Sequence, residues 1–165
     1  MASNIFQPLG LNDTSYLQPA GAVYPYIQGP SPGALPDPSF YFSAGALLSN
    51  VQNLATGDAA LLNGKVIPPA WFTLMVTPSS TPAYPQGGPS PYAMGWVLGT
   101  EQGHPFAWHN GRTDAFTSFH GVFLDDGFSV IVLTNMPVKE DTPLLNLEQE
   151  LIQAICSSSA TTGNC

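Results

Sequence analysis

The sequence predicts an α/β protein of the α+β type. It calls for a short antiparallel sheet packed by a C-terminal helix, with one or two further helices and long Pro/Gly-rich loops. Three observations predict this. Residues 92–135 hold short runs of β-branched and aromatic residues separated by turn signals. Residues 141–155 repeat leucine and isoleucine at helical spacing. Residues 17–42 and 79–91 are dense in Pro, Gly and Ser, which interrupt regular structure.

Within the sheet region, residues 116–124 and 128–135 flank Asp125-Asp126-Gly127, a hairpin signal. Residues 96–98 and 106–108 read as two further strand pieces, joined by a turn near Gly103. His109 and Asn110 then fall at the end of a strand. Earlier in the chain, Pro8 and Gly10 forbid a long helix at the N-terminus. A helix is predicted after Ser49, with Ser49 and Gln52 as a capping box. Its stripe is Val51, Leu54, Ala55, Asp58, Leu61 and Leu62, and Gly64 after Asn63 is its stop. Residues 68–77 read as a short helix with proline in its first turn. In the last helix, Asp141 or Thr142 is the cap, Pro143 suits the first turn, and Leu144, Leu147, Leu151 and Ile155 form the apolar face. Residues 1–155 read as one domain and 156–165 as a Cys-flanked tail. No internal repeat is visible.

Composition narrows the function. The chain has 165 residues, 44% of them hydrophobic and 8% charged, and its formal charge is −8. That charge repels a polyanion, which excludes nucleic acid as a partner. No run approaches the ~18 apolar residues of a membrane span. The opening residues lack a basic start followed by an apolar core, so no signal peptide is read there. Cys156 and Cys165 flank a short polar segment. A small disulfide loop suits that segment better than a metal site and would stabilise by roughly 2–3 kcal/mol. Two free thiols on a frayed tail are the alternative. A disulfide, the sequon Asn12-Asp13-Thr14, few lysines and 17 prolines are consistent with a secreted or extracytoplasmic protein, with Asn12 as the glycosylation position.

Four short motifs occur in order: Tyr92-Ala93-Met94-Gly95-Trp96, His109-Asn110-Gly111, Ala115-Phe116-Thr117-Ser118, and Leu133-Thr134-Asn135. A fifth, Ile5-Phe6-Gln7-Pro8-Leu9-Gly10-Leu11-Asn12-Asp13-Thr14, precedes them. Together they resemble the C-terminal half of the serine β-lactamase-like family: class C β-lactamases, D-Ala-D-Ala peptidases and related esterases. The departures are alanine for glycine at Ala93 and Ala115, and Gln52-Asn53 in a degraded helix motif. The resemblance spans residues 5–155. It implies a hydrolase acting on an ester, amide or lactam, with no cofactor. It also implies that strands absent here complete the sheet, leaving about three strands and an unprotected edge. That edge would take an N-terminal half or another copy of the chain.

Such an enzyme needs a serine three residues before a lysine, so that the amine one helical turn on can take the proton. The lysines here are Lys65 and Lys139, preceded at that spacing by Leu62 and Met136. Neither Tyr-x-Asn nor Ser-x-Asn occurs. The resemblance implies catalytic roles for His109, Asn110 and Gly111. It implies substrate contacts from Tyr92, Arg112, Phe116 and Ser118. The plainer readings are a strand-end histidine bonded to backbone, a surface pair of Arg112 with Asp114, and core aromatics at Trp96, Trp108 and Phe116. A triad of Ser118, His109 or His120, and Asp114 or Asp125 lacks a nucleophile elbow. A metal site from His104, His109, His120 and an Asp lacks recognised ligand spacing. Three functions remain in play: part of a serine hydrolase whose nucleophile lies elsewhere, a noncatalytic domain that keeps the pocket as a binding surface, and a hydrolase with an unrelated site in these residues.

Overall fold

In the computed structural model, a four-stranded antiparallel sheet is covered by helices on both faces. The structure describes residues 1–16, 43–79, 83–84, 88–113, 116–134 and 142–158. A π-helical turn, Ala2–Phe6, runs into α1 (Gln7–Leu9), which ends at Gly10 in the left-handed region. β1 (Ser15–Tyr16) pairs with β2 (Leu47–Leu48). α2 (Val51–Leu62) and α3 (Pro69–Met75) follow. β3 (Ala83–Tyr84) pairs with β4 (Gly88–Pro89). The main sheet is β5 (Val97–Glu101), β6 (His104–Arg112), β7 (Thr117–Phe123) and β8 (Phe128–Thr134), in that order. α4 (Thr142–Ser158) closes the chain.

The hairpin turns form where the sequence places them. Gln102 (φ 51°) and Gly103 (φ 88°) make the two-residue turn between the paired Glu101 and His104. The turn before Phe128 closes with Gly127 N–H donating to Phe123 O at 3.1 Å. The sheet has four strands among the described residues rather than three, because the run before Gly103 pairs fully with β6. β6 is also longer than predicted. Past the Val97–Trp108 pair it continues to Arg112, held by β7 through the Arg112–Thr117 pair. His109 therefore lies inside the strand rather than at its end.

Two helix expectations shift in phase. The N-cap of α2 is Asn50, whose side chain accepts from Asn53 N–H at 2.8 Å. Ser49 does not cap, since its hydroxyl is bonded to Thr14 Oγ1 at 2.8 Å. The buried residues of α2 are Asn53, Asp58 and Ala60, and Val51 is exposed. Asn63 and Gly64 end it as predicted, with Gly64 at φ 67°. In α4 the inward residues are Glu148 and Ile152, with Ile155 and Cys156 packed against the core, while Leu147 and Leu151 are exposed. Ile155 keeps its predicted side, while Glu148 and Ile152 take the inward places expected for Leu147 and Leu151. Leu144 lies outside the described side chains, and the cap candidate Asp141 lies outside the described residues.

The core is built on the α4 face from Phe106, Phe119, Phe123, Val130 and Ile152. Phe106 and Phe123 ring centres lie 4.7 Å apart, and Phe123 stacks on Phe128 at 4.4 Å. Ring pairs of this geometry add to area burial. Strand alternation sends the other set of β6 and β7 side chains to the face covered by α2 and α3. That set includes Ala107, His109, Gly111, Ser118, His120 and Val122.

Candidate active site

Register brings the site together. His109 stands opposite His120, and Gly111 opposite Ser118. Tyr92 reaches the same face from a tight turn: it bridges Val97, and Ala93 N–H donates to Trp96 O at 2.9 Å. The Tyr92 hydroxyl lies 3.1 Å from His109 Nε2. His109 Nδ1 bonds the Asn110 carbonyl oxygen. A carbonyl has no proton to give, so Nδ1–H donates. In the neutral ring Nε2 is then the acceptor, and the Tyr92 O–H points at it. The backbone bond foreseen as the plain alternative for His109 is thus present, and the tyrosine bond exists beside it.

The remaining predicted residues divide by geometry. Ser118 Oγ sits over Gly111, and a Cβ at position 111 would come within 2.7 Å of it, so a larger residue there would have to turn the Ser118 hydroxyl aside. Asn110 pairs with Phe119 and alternates onto the opposite face from His109. Arg112 ends β6 on that opposite face and is exposed. Its expected partner Asp114 lies outside the described residues. Phe116 closes the link from β6 to β7: Thr113 N–H donates to Phe116 O at 2.8 Å, and Phe116 N–H donates to Thr113 Oγ1 at 3.1 Å. The structure therefore unites Tyr92, His109, Gly111 and Ser118 and separates Asn110 and Arg112 from them.

Sequence reasoning missed the partner of His120. It is Asp58 of α2, with both carboxylate oxygens 2.9 Å from Nε2. Of the two acids considered for it, Asp125 lies in the hairpin turn and Asp114 lies outside the described residues. The neighbouring Asp126 accepts from His104 Nδ1 at 2.9 Å. The missed signal was an acid on the inward face of a largely apolar helix, since a buried carboxylate calls for a donor. Among the described residues no group of three or more His, Cys, Asp or Glu is placed to hold a metal. Cys156 is disulfide-bonded, and Cys165 lies outside the described residues. Asn12 is exposed in a turn.

A sheet layered between helices, with a His-x-Gly strand facing α2, is the frame of a serine-hydrolase-type fold. The chain belongs to the Beta-lactamase family, which matches residues 1–154. It is similar to D-amino acid amidase from Ochrobactrum anthropi SV3, solved with L-phenylalanine amide: TM-score 0.73, 19% identity, 95% of this chain and 50% of that one. It is also similar to a D-stereospecific amidohydrolase from Streptomyces sp.: TM-score 0.60, 24% identity, 82% of this chain and 42% of that one. A third likeness is to the octameric penicillin-binding protein homologue from Pyrococcus abyssi: TM-score 0.60, 22% identity, 81% of this chain and 32% of that one. These likenesses are of fold. The chain spans half or less of the length of these three structures. No curated protein matches it. No described helix is long and apolar enough to cross a membrane.

Proposed function

We propose that this chain carries the substrate-facing part of a serine hydrolase site for amide, ester or lactam bonds, and that the nucleophile comes from polypeptide outside these residues. The observation that carries the reading is the Tyr92–His109 bond on the sheet face that also bears Gly111 and Ser118. A hydroxyl shared with an imidazole can pass or hold a proton beside a scissile carbonyl. Glycine at 111 leaves room for the Ser118 hydroxyl, which can bond a substrate's polar groups. Asn110 and Arg112, on the opposite face, act at a distance from that centre or orient the link to β7. The amide-acting relatives favour an amide. The disulfide bond of Cys156 and the sequon at Asn12 fit an extracytoplasmic setting.

The outer edge of β8 is the place for further polypeptide. Among the described residues β5 and β8 each have a strand partner on one side only, and β8 is the edge beside exposed leucines. Leu133 on β8 and Leu147 and Leu151 on α4 are exposed at 39%, 44% and 40%. An added strand, from an N-terminal half or a second copy, pairs with that edge, with Leu133 on one face of the sheet and α4 on the other.

Nuclear magnetic resonance of the isotope-labelled chain tests the site. Titration with D-phenylalanine amide is expected to shift the Tyr92 and His109 ring signals with a dissociation constant of about 1 mM. The Phe123 and Ile152 signals stay fixed. Unmoved Tyr92 and His109 signals up to the solubility limit of the amide contradict the reading.

A further inference from the structure

The face that carries Tyr92 and His109 also carries a chain of contacts that starts at Asp58. Asp58 is 6% exposed, and beside it Leu61 and Leu62 line an apolar gap between α2 and the sheet. A carboxylate there is tolerated because His120 Nε2–H donates to it. The His120 ring in turn meets Trp96 edge to face, with centroids 5.3 Å apart. Trp96 closes the turn that begins at Tyr92. Tyr92 returns its hydroxyl to His109, which stands opposite His120 on the neighbouring strand. Positions directly opposite on one sheet face are near neighbours, their Cβ atoms roughly 5 Å apart, so the two ends of this chain of contacts stand side by side.

We propose that Asp58 and His120 are positioning residues: Asp58 pins the His120 ring as the post against which Trp96 and the Tyr92 turn rest, and so sets the Tyr92–His109 bond. The proposal rests on the reading of Tyr92 and His109 as the site. Neither Asp58 nor His120 touches the reacting bond in it. Their effect passes through Trp96 and across the sheet.

The test uses the labelled full chain with Asp58→Asn, Asp58→Ala and His120→Phe. Two quantities are read: the ring-to-ring contact and tautomer of Tyr92–His109, and the dissociation constant for D-phenylalanine amide. Asp58→Asn keeps an oxygen facing Nε2–H and is expected to preserve both. Asp58→Ala is expected to scatter the His109 tautomer, lose the contact to Tyr92, and weaken the amide about tenfold, the value of one hydrogen bond. The Phe123 and Ile152 signals remain in place. His120→Phe keeps an aromatic ring against Trp96 without the bond to Asp58. It gives the same losses and decides the matter if Asp58→Ala does not fold. An intact Tyr92–His109 contact with a single tautomer in Asp58→Ala or His120→Phe overturns the proposal. If the unaltered chain binds no amide, the functional reading fails, and the ring contact alone still decides the positioning role.

Discussion

Replacing Glu148 with glutamine is expected to stabilise the protein above neutral pH and to flatten its stability between pH 4.5 and 7. Glu148 is 4% exposed on the inward face of α4, one turn before the fully buried Ile152. Burial, and then the charge of Glu101, push its carboxyl up from 4.5 to about 7. The folded state therefore holds the proton more tightly than the unfolded chain. Below pH 4.5 both states are protonated and the group costs nothing through its charge. As pH rises towards 7 the unfolded chain releases its proton first, so stability falls. Above about 7 the loss is complete. The full shift corresponds to at most about 3 kcal/mol. Urea unfolding at pH 5 and pH 8 checks this: Glu148→Gln should gain at pH 8 relative to the unaltered chain and change little at pH 5. Equal pH dependence in the two proteins contradicts the account.

The second large effect is expected at Gly121. Phe106 from the neighbouring strand lies across it. A Cβ there would come within 2.2 Å of Phe106 Cζ and 2.7 Å of Cε2, with Phe119 Cε1 at 3.1 Å. Phe106 is itself wedged against Phe123, so the ring has little freedom to yield. Gly121→Ala is expected to cost about 1–3 kcal/mol and to lower Tm by roughly 3–10 °C. Phe106→Leu in the same chain should recover part of the loss. A Gly121→Ala protein with unchanged Tm would mean that Phe106 can tilt aside.

Much of the sheet was legible because its signals are local. β-branched and aromatic runs broken by Asp-Asp-Gly and by a glycine near position 103 leave few other folds for residues 96–134. The phase of the helices was less legible. α4 turns Glu148 inward and leaves Leu147 and Leu151 exposed, against the rule that apolar residues choose the buried face. No periodicity in one segment foretells that, because it depends on what packs opposite. The candidate site divides in the same way. Tyr92, His109, Gly111 and Ser118 could be named from short motifs, whereas Asp58 and His120 meet across 62 positions and become partners only once α2 crosses the sheet. Alternation along β6 separates Asn110 from its neighbours, a consequence of extending the strand to Arg112 that a triplet motif does not express.

Under the proposed function these residues hold a substrate-facing surface and the nucleophile comes from elsewhere. Intact mass after incubation with a fluorophosphonate serine probe decides whether that holds. The mass of the 165-residue chain should remain unchanged, with no turnover of a p-nitrophenyl ester. A stoichiometric adduct with turnover would contradict the claim by placing the nucleophile within this chain, and Ser118 would be the first residue to map.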